Sequence, residues 1–388
     1  MESGAQEVQA LALSTLLEII KSSKGDTLRP FVPNLVGRLL GLLSALEPQA
    51  VNYIHLNADK YGMTAQQIDD IRLTSVRVSP MMEAIERCLD FLDDVTMKEL
   101  ERGLENAIKG AVGLPSKVGS SRVLVTLSTR HNFLFRAHAD HFLRLLRKQV
   151  IDRNDTISSS YAAACGYLAR LATDGELLKL IAFCEKLYFG SDDDKSRAVA
   201  GDIIYATSKH ATDRFASLAG DILPFVFVGK HDAYERAKEL FQDTWNENVG
   251  GSRAVLLYMK EIVELTSQHL ESPRWAVKHT SALAVADVIN SAGSEMSLSN
   301  AKMVWPVLQK ALGGKAWEGK ETVLEALVRL VRTTTIAKSE GEIADQMQVR
   351  ENSDTARGTA RYCGTGANSA RINPQRRTMP LILMDRML

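Results

Sequence analysis

SSSYAAACGYLARLA, Ser158 to Ala172, decides how the rest of the chain is read. Its apolar positions return every three or four residues, the spacing that lays them along one face of an α-helix. Between them stand Ala, Ser and Gly, the small residues that a close helix–helix approach requires. Two later stretches repeat the design: KSRAVAGDIIYATSK from Lys195 to Lys209 and PRWAVKHTSALAVAD from Pro273 to Asp287.

Working outward, the same spacing runs through almost the whole chain and alternating apolar and polar runs are nearly absent, so it reads as helix after helix. Start and stop signals predict helices over 5–23, 28–46, 64–75, 80–93, 96–111, 115–129, 138–151, 155–172, 174–189, 193–209, 211–228, 231–247, 252–270, 273–291, 297–312 and 318–336. From Asp155 they fall into pairs starting near 155, 193, 231, 273 and 318, a period of roughly 38 to 45 residues that marks a HEAT-type solenoid. The expected fold is all-α: a HEAT-type α-solenoid of stacked antiparallel helix pairs over 1–336, with internal repeats near 155–190, 191–230, 231–271 and 272–316. No pair buries its apolar face alone, so stacking makes the core and function lies on the exposed faces. Asp193 with Arg197, and Asp232 with Arg236, repeat an Asp and an Arg four residues apart. Either these residues link neighbouring turns, as in HEAT arrays, or each pair is an i,i+4 surface contact worth about 0.2–0.5 kcal/mol.

The chain has 388 residues, enough for a sizeable core, and 45% of them are hydrophobic. Lys plus Arg and Asp plus Glu number 47 each, so no overall basic field draws the chain to nucleic acid or anionic lipid. Cys88, Cys165, Cys184 and Cys363 are widely spaced and make no zinc-like quartet, a usage that suits buried thiols in a reducing compartment. The N-terminal segment has acids before its apolar run and is not a signal peptide. No stretch approaches the 18 or so apolar residues of a membrane span. The expected location is cytoplasmic and nuclear.

Both ends look unlike a complete array. Residues 5–23 are already an apolar repeat helix with no polar cap before it, so further repeats are expected to precede it. After Thr335 the helical period stops, and no Leu occurs between Val331 and Pro380. That composition cannot offset chain entropy, and 337–388 is expected to be disordered, or an aberrant tail from a frameshift, retained intron or mispredicted gene end.

Candidate chemistry is sparse. In GGKAWEGKET, Gly313 to Thr322, the residues Gly314, Gly319 and Lys320 have the spacing of a phosphate-cradling P-loop. Glu321 stands where Ser or Thr should ligate magnesium, and the preceding KMVWPVLQKAL reads as helix rather than strand, so a P-loop ATPase is the rejected reading. The segment reads instead as an inter-repeat turn, with Gly313 and Gly314 in left-handed helix-end positions, Trp317 in the junction, and Lys320 and Glu321 opening the next helix. His138 and His141 could supply half a zinc site, but nothing on their helix completes it, and they read as surface or interface residues. Cys88, Cys165 and Cys184 lie on apolar stripes as core fillers, and SDDDKSR, Ser191 to Arg197, reads as a helix start. AVGLPSKVGSSRVLVTLSTRHNF, with Gly113, Pro115 and Gly119, reads as a tight turn with Pro at the first helical position. Its other reading is an exposed basic edge, Lys117 and Arg122, that grips a partner. No catalytic residue, cofactor, metal, nucleic acid, membrane insertion or small-molecule substrate is expected.

SPMMEAIERCLDFLD (Ser79 to Asp93), AVGLPSKVGSSRVLVTLS (Ala111 to Ser128), VIDRNDTISSSYAAACGYLARL (Val150 to Leu171) and GGKAWEGKETVLEAL (Gly313 to Leu327) together resemble a known family. It is that of the HEAT-repeat proteasome adaptor and scaffold proteins, the Ecm-type proteasome components, and the resemblance spans about residues 1–336. It implies a non-enzymatic scaffold that binds proteasome core and regulatory particles, tethers one to the other, and supports assembly, stability or quality control. It also implies a piece of a much longer chain, from its C-terminal half. A HEAT-type transport or trafficking adaptor is the alternative.

Overall fold

The computed structural model describes residues 2–45, 47, 49–249, 253–313 and 317–333. Cys363 and the segment 337–388, expected to be disordered or aberrant, lie outside them. The chain divides into two compact units, 1–251 with 271–280, and 252–270 with 281–388. Among the described residues every regular element is a helix, so the all-α, HEAT-type expectation holds.

The first unit opens with α1 (Glu2–Ser22), α2 (Gly25–Leu28), a 3-10 turn at Arg29–Phe31 and α3 (Val32–Leu42). Next come α4 (Gln49–Leu56), a 3-10 turn at Ala58–Tyr61 and α5 (Ala65–Arg77), then α6 (Pro80–Leu89) and α7 (Asp94–Gly110). The chain continues through α8 (Leu114–Arg130), α9 (Asn132–Phe135), a 3-10 turn at Arg136–His138 and α10 (Ala139–Gln149). Two more repeats follow, α11 (Asp155–Ala169) with α12 (Asp174–Phe189), and α13 (Asp194–His210) with α14 (Thr212–Ser217) and α15 (Ala219–Gly229); then comes α16 (Glu235–Asn248). Inner helices α8, α11, α13 and α16 stack in succession. Towards the N-terminus α1 packs on α6 and α3 on α7, so α4 and α5 form an excursion inserted between two stacked repeats.

Small residues set the spacing of the inner stack. A Cβ added at Gly166 of α11 would lie 2.3 Å from the carbonyl oxygen of Ala206 on α13. One repeat on, a Cβ at Gly201 of α13 would meet Leu240 and Phe241 of α16 at 3.2–3.3 Å. The turn into α8 is the one expected from Gly113 and Pro115. Gly113 is left-handed at φ 79°, Pro115 sits in the first turn, and the Ser44 and Ser116 hydroxyls each accept the other residue's backbone N–H, at 3.0 and 3.1 Å.

Four predicted helices depart from a single rod. The spans 28–46, 211–228 and 252–270 each open with a short helical piece before the main helix, and 138–151 follows one, α9, that falls where no helix is expected. At two of these breaks, Leu218 (φ −112°, ψ 18°) and Tyr258 (φ −101°, ψ 13°) leave the helical region. The spans 28–46, 138–151 and 211–228 are outer helices of the first unit that turn away from the preceding inner helix before running back along it, which apolar spacing does not encode. Helix α4 falls where none is expected, because its apolar residues serve no buried face: among the described residues from 49 to 63 none is buried.

In the second unit lie α17 (Arg253–Leu257), α18 (Met259–His269), the part of α19 (Trp275–Ala292) from Ser281 onward, α20 (Leu298–Leu312) and α21 (Lys320–Thr333). α20 packs on α18 and α21 on α20, burying Val304, Leu308, Val323 and Leu330. Gly313 does end α20, but in extended conformation (φ −65°, ψ 159°) rather than the left-handed one expected; Gly314 lies outside the described residues. The left-handed glycine is Gly319 at φ 99°, where a Cβ would strike the half-buried Trp317 ring at 2.9 Å.

Gly166→Ala is expected to cost about 1–3 kcal/mol, since its methyl meets backbone rather than a side chain that can swing away. Gly41→Ala in α3, with nothing within 4 Å of the added carbon, is expected to gain about 0.5–1 kcal/mol. Urea denaturation of both variants followed by circular dichroism checks the pair.

Candidate functional site

The P-loop resemblance ends at Gly319. Its backbone N–H, which would have to face a phosphate, donates instead to the Glu321 carboxylate at 3.1 Å. A carboxylate in that place repels an anion. Lys320 opens α21 as expected.

The two histidines are interface residues. Glu101 and Glu105, one turn apart on α7, meet His138 through Nδ1 and His141 through Nε2, the latter at 3.2 Å. Lys109 also pairs with Glu105 at 2.5 Å, and the Lys109 ammonium, with the His141 ring, holds that carboxyl below the usual range. Among the described residues no group of three or more His, Cys, Asp or Glu is placed to hold a metal ion. Cys88, Cys165 and Cys184 are buried free thiols. Burial pushes Cys88 up to about 11 and Cys165 to about 12, so neither is a nucleophile at neutral pH.

Lys117 and Arg122 both project from α8 into ion pairs. Lys117 Nζ lies 2.5 Å from Asp152 beyond α10, and Arg122 Nε lies 2.5 Å from Glu86 on α6. Burial acts against the Asp152 carboxylate, but the Asn154 N–H and Lys117 together hold it below the usual range. The lysine and arginine side chains remain 25% and 34% exposed.

The most concentrated electrostatics lies where repeats join. Asp232, just ahead of α16 and with its side chain fully buried, accepts from Arg197 Nε of α13 at 2.8 Å and from the Tyr188 hydroxyl of α12 at 2.7 Å. Its other oxygen accepts the Tyr234 N–H at 2.8 Å. Arg197, only 2% exposed, also reaches Asp194 at 2.6 Å. The inter-repeat reading of Asp232 and Arg197 therefore holds, whereas the i,i+4 pairings do not form. Asp193 is occupied as the N-cap of α13, accepting from the Lys195 and Ser196 N–H groups. Arg236 turns instead to Asp202 at 3.0 Å and to the Ser159 hydroxyl at 2.6 Å, bridging α16 to α13 and α11. Burial raises the Asp202 carboxyl despite the pull of Arg236.

Sequence reading missed Tyr188, Asp202 and Asp69 as members of these joints. Asp69 of α5 accepts from Asn154 Nδ2 at 2.7 Å and Thr156 Oγ1 at 3.0 Å, pinning the inserted excursion to the start of α11. Partners 85 and 87 positions apart leave no local signal.

Every buried charge described above is met by another group of the chain, and the sites bind repeat to repeat. Residues 28–189 match the model of the ECM29 proteasome adapter and scaffold HEAT-repeat domain. The proteasome adapter and scaffold protein ECM29 of Homo sapiens is 32% identical over 90% of this chain. The resemblance to the ECM29 proteins therefore holds. Proteasome component ECM29 of Saccharomyces cerevisiae is 28% identical over 99% of the chain, and its Schizosaccharomyces pombe counterpart 29% over 89%. The chain spans about a fifth of the length of these relatives, 21%, 19% and 20% for the budding-yeast, human and fission-yeast proteins. Their names are those of a proteasome component and of an adapter and scaffold, not of an enzyme.

Asp232→Ala leaves the buried Arg197 guanidinium with Asp194 but without its inter-repeat partner, and is expected to cost about 3 kcal/mol. Arg197→Met with Asp232→Leu removes both charges and is expected to recover more than half of that loss. Equilibrium unfolding of wild type, both single variants and the double variant tests the coupling.

Proposed function

We propose that this chain is a non-catalytic proteasome-binding scaffold segment, which helps to tether the regulatory particle to the core particle and so supports proteasome assembly, stability or quality control. The observation that carries the proposal is the 32% identity to a named proteasome adapter and scaffold over 90% of this chain. The physical means is multivalency. A stack of repeats that touches two bodies turns the second contact into an intramolecular one, so two modest interfaces hold what either alone would release. Stacked repeats also flex by small rotations at each junction, which lets a long arm follow a moving partner. The proposal places the chain in cytoplasm and nucleus, where proteasome particles are its partners. Lys117 and Arg122 belong to it as contacts whose partly exposed heads a partner's acids share. Among the described residues no helix is long and apolar enough to cross a membrane.

Immobilised chain is expected to capture purified 26S proteasomes at low ionic strength and to retain separated core or regulatory particles less well than the joined assembly. Recovery of no proteasome particle at low salt would contradict the proposal.

A further inference from the structure

In three successive repeats of the first unit the outer helix begins with a large apolar side chain held out to solvent. Phe31 immediately precedes α3, while Val95 and Phe133 are the second residues of α7 and α9. They are 61%, 67% and 92% exposed. The turns that carry them are neighbours. Arg29 Nε donates to the Phe91 carbonyl at 3.1 Å and lies 3.4 Å from Asp93, and His131 Nε2 lies 3.5 Å from Asp90. The three side chains thus mark one edge of the stack, and the row stops at the next repeat, where the second residue of α12 is Gly175.

Phe133 stands out even in this row. Two residues on, Phe135 is fully buried with its ring centroid 5.5 Å from that of Phe142, so α9 already has its core anchor. Leaving a second phenylalanine in water forgoes about 1.5–3 kcal/mol of burial. Three residues to either side, Arg130 and Arg136 are exposed, and among the described residues neither pairs with a carboxylate. Arg130 stabilises the C-terminal end of α8; Arg136 has no such duty. Nearby acids are occupied: Asp90 faces His131, Asp93 caps α7 and faces Arg29, and Asp140 accepts from the Thr173 N–H and hydroxyl at 2.8 Å. What remains is an apolar knob with two free guanidinium groups beside it, the composition that dominates binding energy at protein interfaces.

We propose that this edge docks a protein partner, with Phe133 entering an apolar pocket and Arg130 and Arg136 meeting carboxylates on the pocket's border. The partner's chemistry follows from that charge: an acidic border complements two unpaired cations, and steering by them makes binding salt-dependent. The proposal rests on the proteasome-scaffold reading and places one of its contacts on this edge.

Capture of purified 26S proteasomes by the whole chain is the test, using Phe133→Ser, the pair Arg130→Glu with Arg136→Glu, and Tyr61→Ser as a matched exposed control. Phe133→Ser and the charge reversals are expected to weaken capture by about tenfold each, the reversals with a shallower salt dependence. Phe133→Ser and Tyr61→Ser are expected to melt with wild type and the reversed pair slightly below it, because Arg130→Glu puts an anion at the C-terminal end of α8; Tyr61→Ser is expected to bind like wild type. Wild-type capture unchanged in both Phe133→Ser and the reversed pair would overturn this inference and leave the scaffold reading standing; no capture by wild type would overturn both. Binding to phosphatidylserine vesicles that Phe133→Ser abolishes, with proteasome capture unaffected, would overturn the assignment to a protein partner.

Discussion

The carbonyl oxygen of Ala206 occupies the place a side chain on Gly166 would need. That backbone-to-backbone approach fixes the distance between α11 and α13, and much of the first unit follows from it. Helices this close can carry only small residues at the crossing, which is why α11 reads AAACG up to Gly166 and α13 carries Ala206 opposite it. The larger side chains gather between the layers, where Tyr188 and Phe189 of α12, Phe225 of α15 and Phe241 of α16 form one cluster of edge-to-face and tilted rings with centroids 4.9–5.5 Å apart. Gly229 of α15 admits the Phe241 ring so closely that a Cβ there would lie 2.6 Å from it.

Close packing fixes distance but not register, and the buried charges supply the second constraint. A buried ion pair adds little net stability, because desolvation offsets its attraction. Its effect is on the alternatives: sliding α16 by one turn along α13 would part Arg197 from Asp232 and leave the Asp232 carboxylate in the interior without a cation. Tyr188 extends the same penalty to α12, so residues from three consecutive repeats agree on one arrangement. Around α8 the joints are more exposed and more numerous, made by Lys117, Arg122, His138 and His141 with carboxylates of neighbouring elements.

Periodicity made the helices legible, to the residue for Asp174–Phe189, and small residues at the crossings announced the stacking. The Gly113 and Pro115 turn was readable because left-handed glycine and N-terminal proline are local requirements, and four stretches in order sufficed for the family resemblance. The joints were not readable in the same way. Asp232 and Arg197 stand 35 positions apart, and nothing nearby distinguishes that pairing from Asp232 with Arg236. Helix α4 escaped because it has no buried face to create a pattern. Gly313 misled because a helix-end glycine permits the left-handed conformation without requiring it. The exposure of Phe133 could not be told from the burial of Phe135 until the backbone set one outward and the other inward.

If the inner stack is a single object locked by contact at Gly166 and by charge at Asp232, its helices must open together. Native-state hydrogen exchange of amides in α11, α13 and α16 against rising denaturant measures this directly. The account predicts that the slowest amides of all three helices converge on one opening free energy and one denaturant dependence. Exchange of the α16 amides through a separate opening of distinctly lower free energy, with α11 and α13 still protected, would contradict it.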